Sequence, residues 1–92
     1  MNRQAEIYIR QMKYDDARNK LLREIEHLFF EGTEDVEVIH GIGNYILREM
    51  AIKELEKLDY VTIDLKIFNP NPGSLKVRLL TPEKSILDSY RA

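Results

Sequence analysis

The apolar residues of this chain repeat every second position, then every third or fourth, then every second again, and that switching of period limits the fold to layered strands and helices. Ile7 and Ile9 alternate with Glu6, Tyr8 and Arg10, which predicts a short strand with one apolar face. From about Tyr14 to Phe30, Ala17, Leu21, Ile25 and Leu28 recur at helical spacing, with Lys20, Arg23, Glu24, His27 and Glu31 on the opposite side. Gly32 supplies a stop. A second strand is predicted from Val36 to Ile39, and a second helix follows whose inward face carries Leu47, Met50, Ala51, Leu55 and Leu58. Val61, Ile63, Leu65 and Ile67 alternate with polar residues in a third strand, and Leu75, Val77 and Leu79 in a fourth. Asn69-Pro70-Asn71-Pro72-Gly73 joins those two with loop chemistry. Thr81-Pro82-Glu83 reads as an N-cap followed by proline, so a short closing helix is expected from Glu83 to Tyr90.

The expected fold class is therefore α/β, a two-layer sandwich of order β-α-β-α-β-β with a four-stranded mixed sheet. Strands one to three run parallel, and the fourth is an antiparallel hairpin partner. Period-2 alternation implies one covered and one wet face, so both helices belong on the same side. The wet face then displays Tyr8, Arg10, Thr62, Asp64, Lys66, Lys76 and Arg78. At 92 residues, one domain is expected, short for an enzyme that must enclose its substrate. With 43% hydrophobic and 33% charged residues, it should fold alone. Absence of cysteine excludes disulfides, thiolate metal sites and cysteine nucleophiles. No stretch approaches transmembrane length, so the expectation is a cytoplasmic protein with no membrane contact.

Chemistry concentrates between residues 36 and 48, where an apolar strand ends in His40-Gly41-Ile42-Gly43 just before the second helix, expected to start at Asn44. Ligands of open α/β sheets sit beyond the carboxyl ends of parallel strands, and unpaired amides at a helix start favour an anion. The loop after strand one adds Arg10, Gln11 and Lys13, and Arg48 lies one turn into helix two. Together these place cationic or potentially cationic side chains near backbone amides, an arrangement for a phosphodiester. The whole chain carries a net charge of −2, so any such binding comes from a local patch. A dinucleotide fingerprint would need a third glycine at position 46, which is Ile.

His40 reads either as a ligand contact or as a hydrogen-bonded histidine at the core edge. As a general base it would need a partner, for which Asp15 and Asp16 are the nearest candidates. The two histidines lack metal-ligand spacing, so no metal site and no cofactor are expected. Tyr45 and Ile52, on the flank of helix two, offer a contact for a second copy or a protein partner, unless the C-terminal segment covers them.

Val38-Ile39-His40-Gly41-Ile42-Gly43, followed by Leu47-Arg48, is similar to the hydrophobic-HGxG signature of the Smr, or small MutS-related, domain. Ile7-Tyr8-Ile9-Arg10-Gln11-Met12, with Asp15-Asp16-Ala17 after it, falls at that family's LDxHG or LDLRG motif and its acidic helix start. The resemblance covers about Ile7 to Leu80. It implies a single domain over 1–92, with its core at 6–80 and an extension at 81–92. It further implies a fold like the carboxy-terminal domain of translation initiation factor three, binding to the phosphate backbone of DNA or RNA, and, in several members, structure-preferring cleavage. Four departures stand out: Tyr8 replaces the family's acidic residue, Gln11 a glycine, Ile42 a basic residue, and Asn44-Tyr45 a Thr-Gly pair.

Losing the carboxylate removes the best group for activating water or holding a metal, so weakened or absent nuclease activity is expected. Arg10, Lys13, His40, Gly41, Gly43, Asn44 and Arg48 remain to hold a backbone. The rival reading is an endonuclease, divalent-metal-dependent or structure-preferring, using His40 with Asp15. A third reading is a protein-interaction module working through Tyr45 and Ile52.

Overall fold

The computed structural model describes residues 4–43, 45–63 and 72–81. They form β1 (Gln4–Tyr8), α1 (Tyr14–Phe30), β2 (Asp35–Ile39), α2 (Ile46–Leu55), β3 (Val61–Ile63) and β4 (Ser74–Leu79). The sheet order is β1-β2-β4-β3, with β1 parallel to β2 and β4 antiparallel to both its neighbours. Strands β1, β2 and β3 thus share one direction, as expected, and the returning strand β4 is inserted between β2 and β3. Leu75, Val77 and Leu79 are almost completely buried, which suits the central place β4 takes, while three-residue β3 takes an edge.

One face of the sheet is closed. Ile7, Val36, Val38, Leu75 and Val77 point into a single core with Ala17, Leu21, Ile25 and Phe29 of α1 and Met50, Ala51 and Leu55 of α2. The alternate positions Glu6, Tyr8, Lys76 and Arg78 are exposed on the other face, where Arg78 pairs with Asp35 at 3.2 Å. Complete burial of a side chain such as Leu21 or Ile25 contributes about 1.5–3 kcal/mol, so this one-sided layer holds the fold together.

Two polar devices complete it. Arg18 of α1 donates to Glu54 of α2 at 2.7 Å, and Lys57 approaches the same carboxylate at 3.2 Å. These two cations hold the Glu54 carboxyl below its ordinary pKa, Arg18 most strongly, against the effect of desolvation. At the end of α1, Gly32 takes φ +82°, and the amides of Gly32 and Thr33 donate to the carbonyls of Phe29 and Leu28. That crossed pair satisfies carbonyls the helix would otherwise leave open, and positive φ is the reason glycine stands there.

Helix α2 begins at Ile46, two residues later than expected, because Tyr45 adopts a left-handed conformation at φ +59° and ψ +20°. Asn44 and the closing helix over 83–90 lie outside the described residues, as do 64–67 of strand three and Asn69 to Asn71 of the loop. Among the described residues, no helix is long and apolar enough to cross a membrane.

Candidate functional site

Parallel pairing of β1 and β2 carries two loops to the same end of the sheet. Ile9 N–H donates to the Ile39 carbonyl at 2.9 Å, so Arg10 and Gln11 emerge beside His40 and Gly41. Gly41 has φ +84°, and a Cβ built on it would lie 3.0 Å from Cγ of Arg10. Glycine is needed here for its backbone and for its bareness, because the stem of Arg10 lies against it. Two motifs distant in sequence meet at that contact. Arg10 is exposed and has no carboxylate partner among the described residues.

The backbone amides are arranged differently from the expectation of a continuous anion cradle. The N–H groups of His40 and Gly41 both donate to the Gly73 carbonyl at 2.9 Å, fastening the glycine turn to the start of β4. They are consumed by the fold. The first helical bond of α2 runs from Glu49 N–H to the Tyr45 carbonyl, which leaves the Leu47 and Arg48 amides with no helical acceptor.

His40 is turned inward, with 5% of its surface exposed. Its Nδ1 lies 2.8 Å from the Gly41 carbonyl oxygen, which can only accept, so Nδ1 carries the proton and donates. Nε2 then holds the lone pair; it is buried and has no hydrogen-bond partner among the described residues. Burial pushes the imidazole pKa below its ordinary value, and Arg48 adds to that shift; the Gly41 carbonyl and the Ser74 backbone oppose it and are outweighed. That shift favours the neutral ring, whereas the sequence suggested a cationic role at a phosphate.

Between the loops lies an open groove of about 730 Å³, lined by Arg10, His40, Gly41 and Gly43 of the predicted set. Lys13, at the N-cap of α1, and half-buried Arg48 do not line it, and Asn44 is outside the described residues. Asp15 is exposed in the first turn of α1 and is not part of the lining either, so among the described residues no carboxylate lines the groove with His40. Among the described residues the groove lining offers one imidazole nitrogen and no carboxylate, and no group of three His, Cys, Asp or Glu side chains comes together. Tyr45 stands at the N-cap of α2, its ring 6.0 Å from that of His40 with the planes at 72°. Ile52 packs partly buried against the core.

Of the remaining lining, sequence reasoning named Gln11 in the strand-one loop and Ile42 in the glycine turn, but not Tyr14 or Ile46 as part of the site. Tyr14 (43% exposed), Ile42 (74%) and Ile46 (49%) give the groove aromatic and apolar walls, and Gln11 joins them with φ +63°. A second depression of about 720 Å³ lies on the open sheet face around Glu6, Tyr8, Glu37 and Lys76. Tyr8, at the position of the family's acidic residue, belongs to that face and not to the groove.

A family model for the Smr domain matches residues 7–69, well over half of the chain. Among curated proteins, the chain is 32% identical over 53 residues to Endonuclease MutS2 of Lactococcus lactis subsp. cremoris (strain MG1363), covering 58% of this chain and 7% of that protein. It is 33% identical over 58 residues to Endonuclease MutS2 of Streptococcus pneumoniae (strain Hungary19A-6), covering 63% of this chain and 8% of that protein. The chain thus spans less than a tenth of the length of these relatives.

Proposed function

This chain belongs to the Smr domain family, and from that premise we propose that it binds the phosphate backbone of a nucleic acid at the loop end of its sheet, with cleavage weakened or lost. The observation that carries the reading is Arg10, an exposed guanidinium with no carboxylate partner among the described residues, laid against Gly41 at the mouth of the groove. An exposed arginine without a carboxylate partner is free to take two phosphate oxygens at once. Arg48, near enough to act on His40, and Lys13, at the N-cap of α1, add positive charge to the reading. His40 serves differently: its ring fixes the glycine turn, with Nδ1–H on the Gly41 carbonyl, so that Arg10 has a surface to lie on.

Loss of cleavage follows from the donor set. An imidazole whose Nε2 is unbonded among the described residues is half of a general-base arrangement, and no described residue of the groove lining supplies the carboxylate that would orient it or activate water. A supercoiled plasmid and a structured RNA incubated with Mg²⁺ or Mn²⁺ should remain intact; cleavage abolished by His40→Ala would establish the nuclease reading instead.

Binding itself is tested by fluorescence anisotropy with a labelled oligonucleotide across a range of salt. Neutralising about three phosphates predicts a log K against log salt slope of roughly −2 to −3. Arg10→Ala should weaken binding and make that slope shallower by about one. Salt-independent binding, or an unchanged slope in the variant, contradicts the reading.

A further inference from the structure

We propose that the groove takes an unpaired nucleobase, so that this chain prefers single-stranded or extruded nucleotides to intact duplex. The inference rests on the backbone-binding reading above and names the form of nucleic acid that would satisfy it. A phosphate chain alone asks only for cations and amide donors. This groove has a different chemistry: among the described residues its one charged side chain is Arg10, and its walls include Tyr14, Tyr45, Ile42 and Ile46, all substantially exposed. A base has flat apolar faces and a polar edge. Aromatic rings beside an arginine that tracks the backbone are the combination that holds one.

Tyr45 makes the case specific. It is a bulky residue at φ +59°, a conformation that side chains of its kind avoid, and such residues persist where the surroundings or the function require them. Its ring is braced edge-on by buried His40, and a T-shaped contact covers at most one ring face. Gln11, the other non-glycine residue with positive φ among the described residues, sets a side-chain amide on the same groove, where donor and acceptor can meet a base edge. The two strained positions of the described backbone therefore border one opening. At about 730 Å³, the groove lies within the roughly 300–1,000 Å³ of small-ligand sites.

Single strands of oligo-dT and oligo-U, each carrying one 2-aminopurine, are compared at low salt with a hairpin duplex of equal length and charge. The wild type should quench the probe and bind at least one single strand about fivefold or more tighter than duplex; which sugar is preferred identifies the strand. Tyr45→Gly suits the left-handed backbone and should stay folded by circular dichroism, yet lose the quench and about tenfold of single-strand affinity, with duplex binding unchanged. Tyr45→Phe should retain both signals, and Tyr14→Ala provides a second, independent loss. Equal affinity for single strand and duplex, with neither tyrosine substitution altering either, overturns the proposal and leaves backbone binding standing. Failure to bind any oligonucleotide overturns both.

Discussion

The end of α1 and the rim of the groove ask the backbone for the same left-handed turn and fill it with different residues. At the helix end, Gly32 takes φ +82° with nothing near its missing Cβ and closes the helix with two crossed hydrogen bonds. At the rim, Gln11 and Tyr45 hold φ +63° and +59° with full side chains. One turn is chosen for stability; the other tolerates strain and places side chains over an opening. The molecule is thus divided between a closed apolar layer, where residue choice follows packing, and a loop end where it does not.

If the division is real, the largest effect belongs to the closed layer. Leu21→Ala, at a fully buried position, should cost about 2–5 kcal/mol in urea denaturation while leaving oligonucleotide affinity of the folded fraction unchanged. Altered affinity would mean that the two regions are coupled. Next, Gly32→Ala should cost a net of about 0.5–1 kcal/mol, left-handed strain of about 1–2 kcal/mol being offset by about 0.4–1 kcal/mol of freedom removed from the unfolded chain, with nothing within 4 Å of the new methyl to clash. A neutral result would remove the contrast between the turns. Gln11→Gly should run the other way. Relief of about 1–2 kcal/mol of left-handed strain is offset by about 0.4–1 kcal/mol of added freedom in the unfolded chain, for a net gain near 0.5–1 kcal/mol in the same assay.

The smallest effect is a pH dependence. Because His40 is held below its ordinary pKa, the unfolded chain binds its proton first, so His40 contributes stability that is present above about pH 6.5 and declines as pH falls toward the folded value. The Glu54 carboxyl, also held low, adds a further loss only below about pH 4.5. Urea midpoints at pH 7.5 and 5.5 should therefore differ for the wild type and converge in His40→Asn. A wild-type midpoint that rises on acidification would show that the histidine is charged in the fold.

The same division separates what could be read from the sequence from what could not. Helix α1 was legible from Tyr14 to Phe30 because its amphipathic repeat is long and Gly32 ends it. One-sided strands were legible because Ile7, Val36, Val38, Leu75 and Val77 alternate with polar residues. Insertion of β4 was not, since period-2 alternation is the same in a central strand and an edge strand, and pairing between β2 and β4 is a long-range choice. The start of α2 was misplaced because tyrosine carries no signal for a left-handed turn; the resemblance to the Smr motifs puts glycine at positions 11 and 45, the two non-glycine positions with positive φ among the described residues. Arg10 and His40 were picked out by residue type and by their place after parallel strands. Burial lowers the pKa of His40, and nothing in the residue letter reports burial.

Backbone amide shifts, recorded while a short single-stranded oligonucleotide is titrated into the labelled protein, test the central claim most directly. Changes should concentrate at Gln11, Met12, Gly41, Gly43 and Tyr45, around the groove. Changes confined to Glu6, Glu37 and Lys76 on the open sheet face would place binding elsewhere and contradict the account.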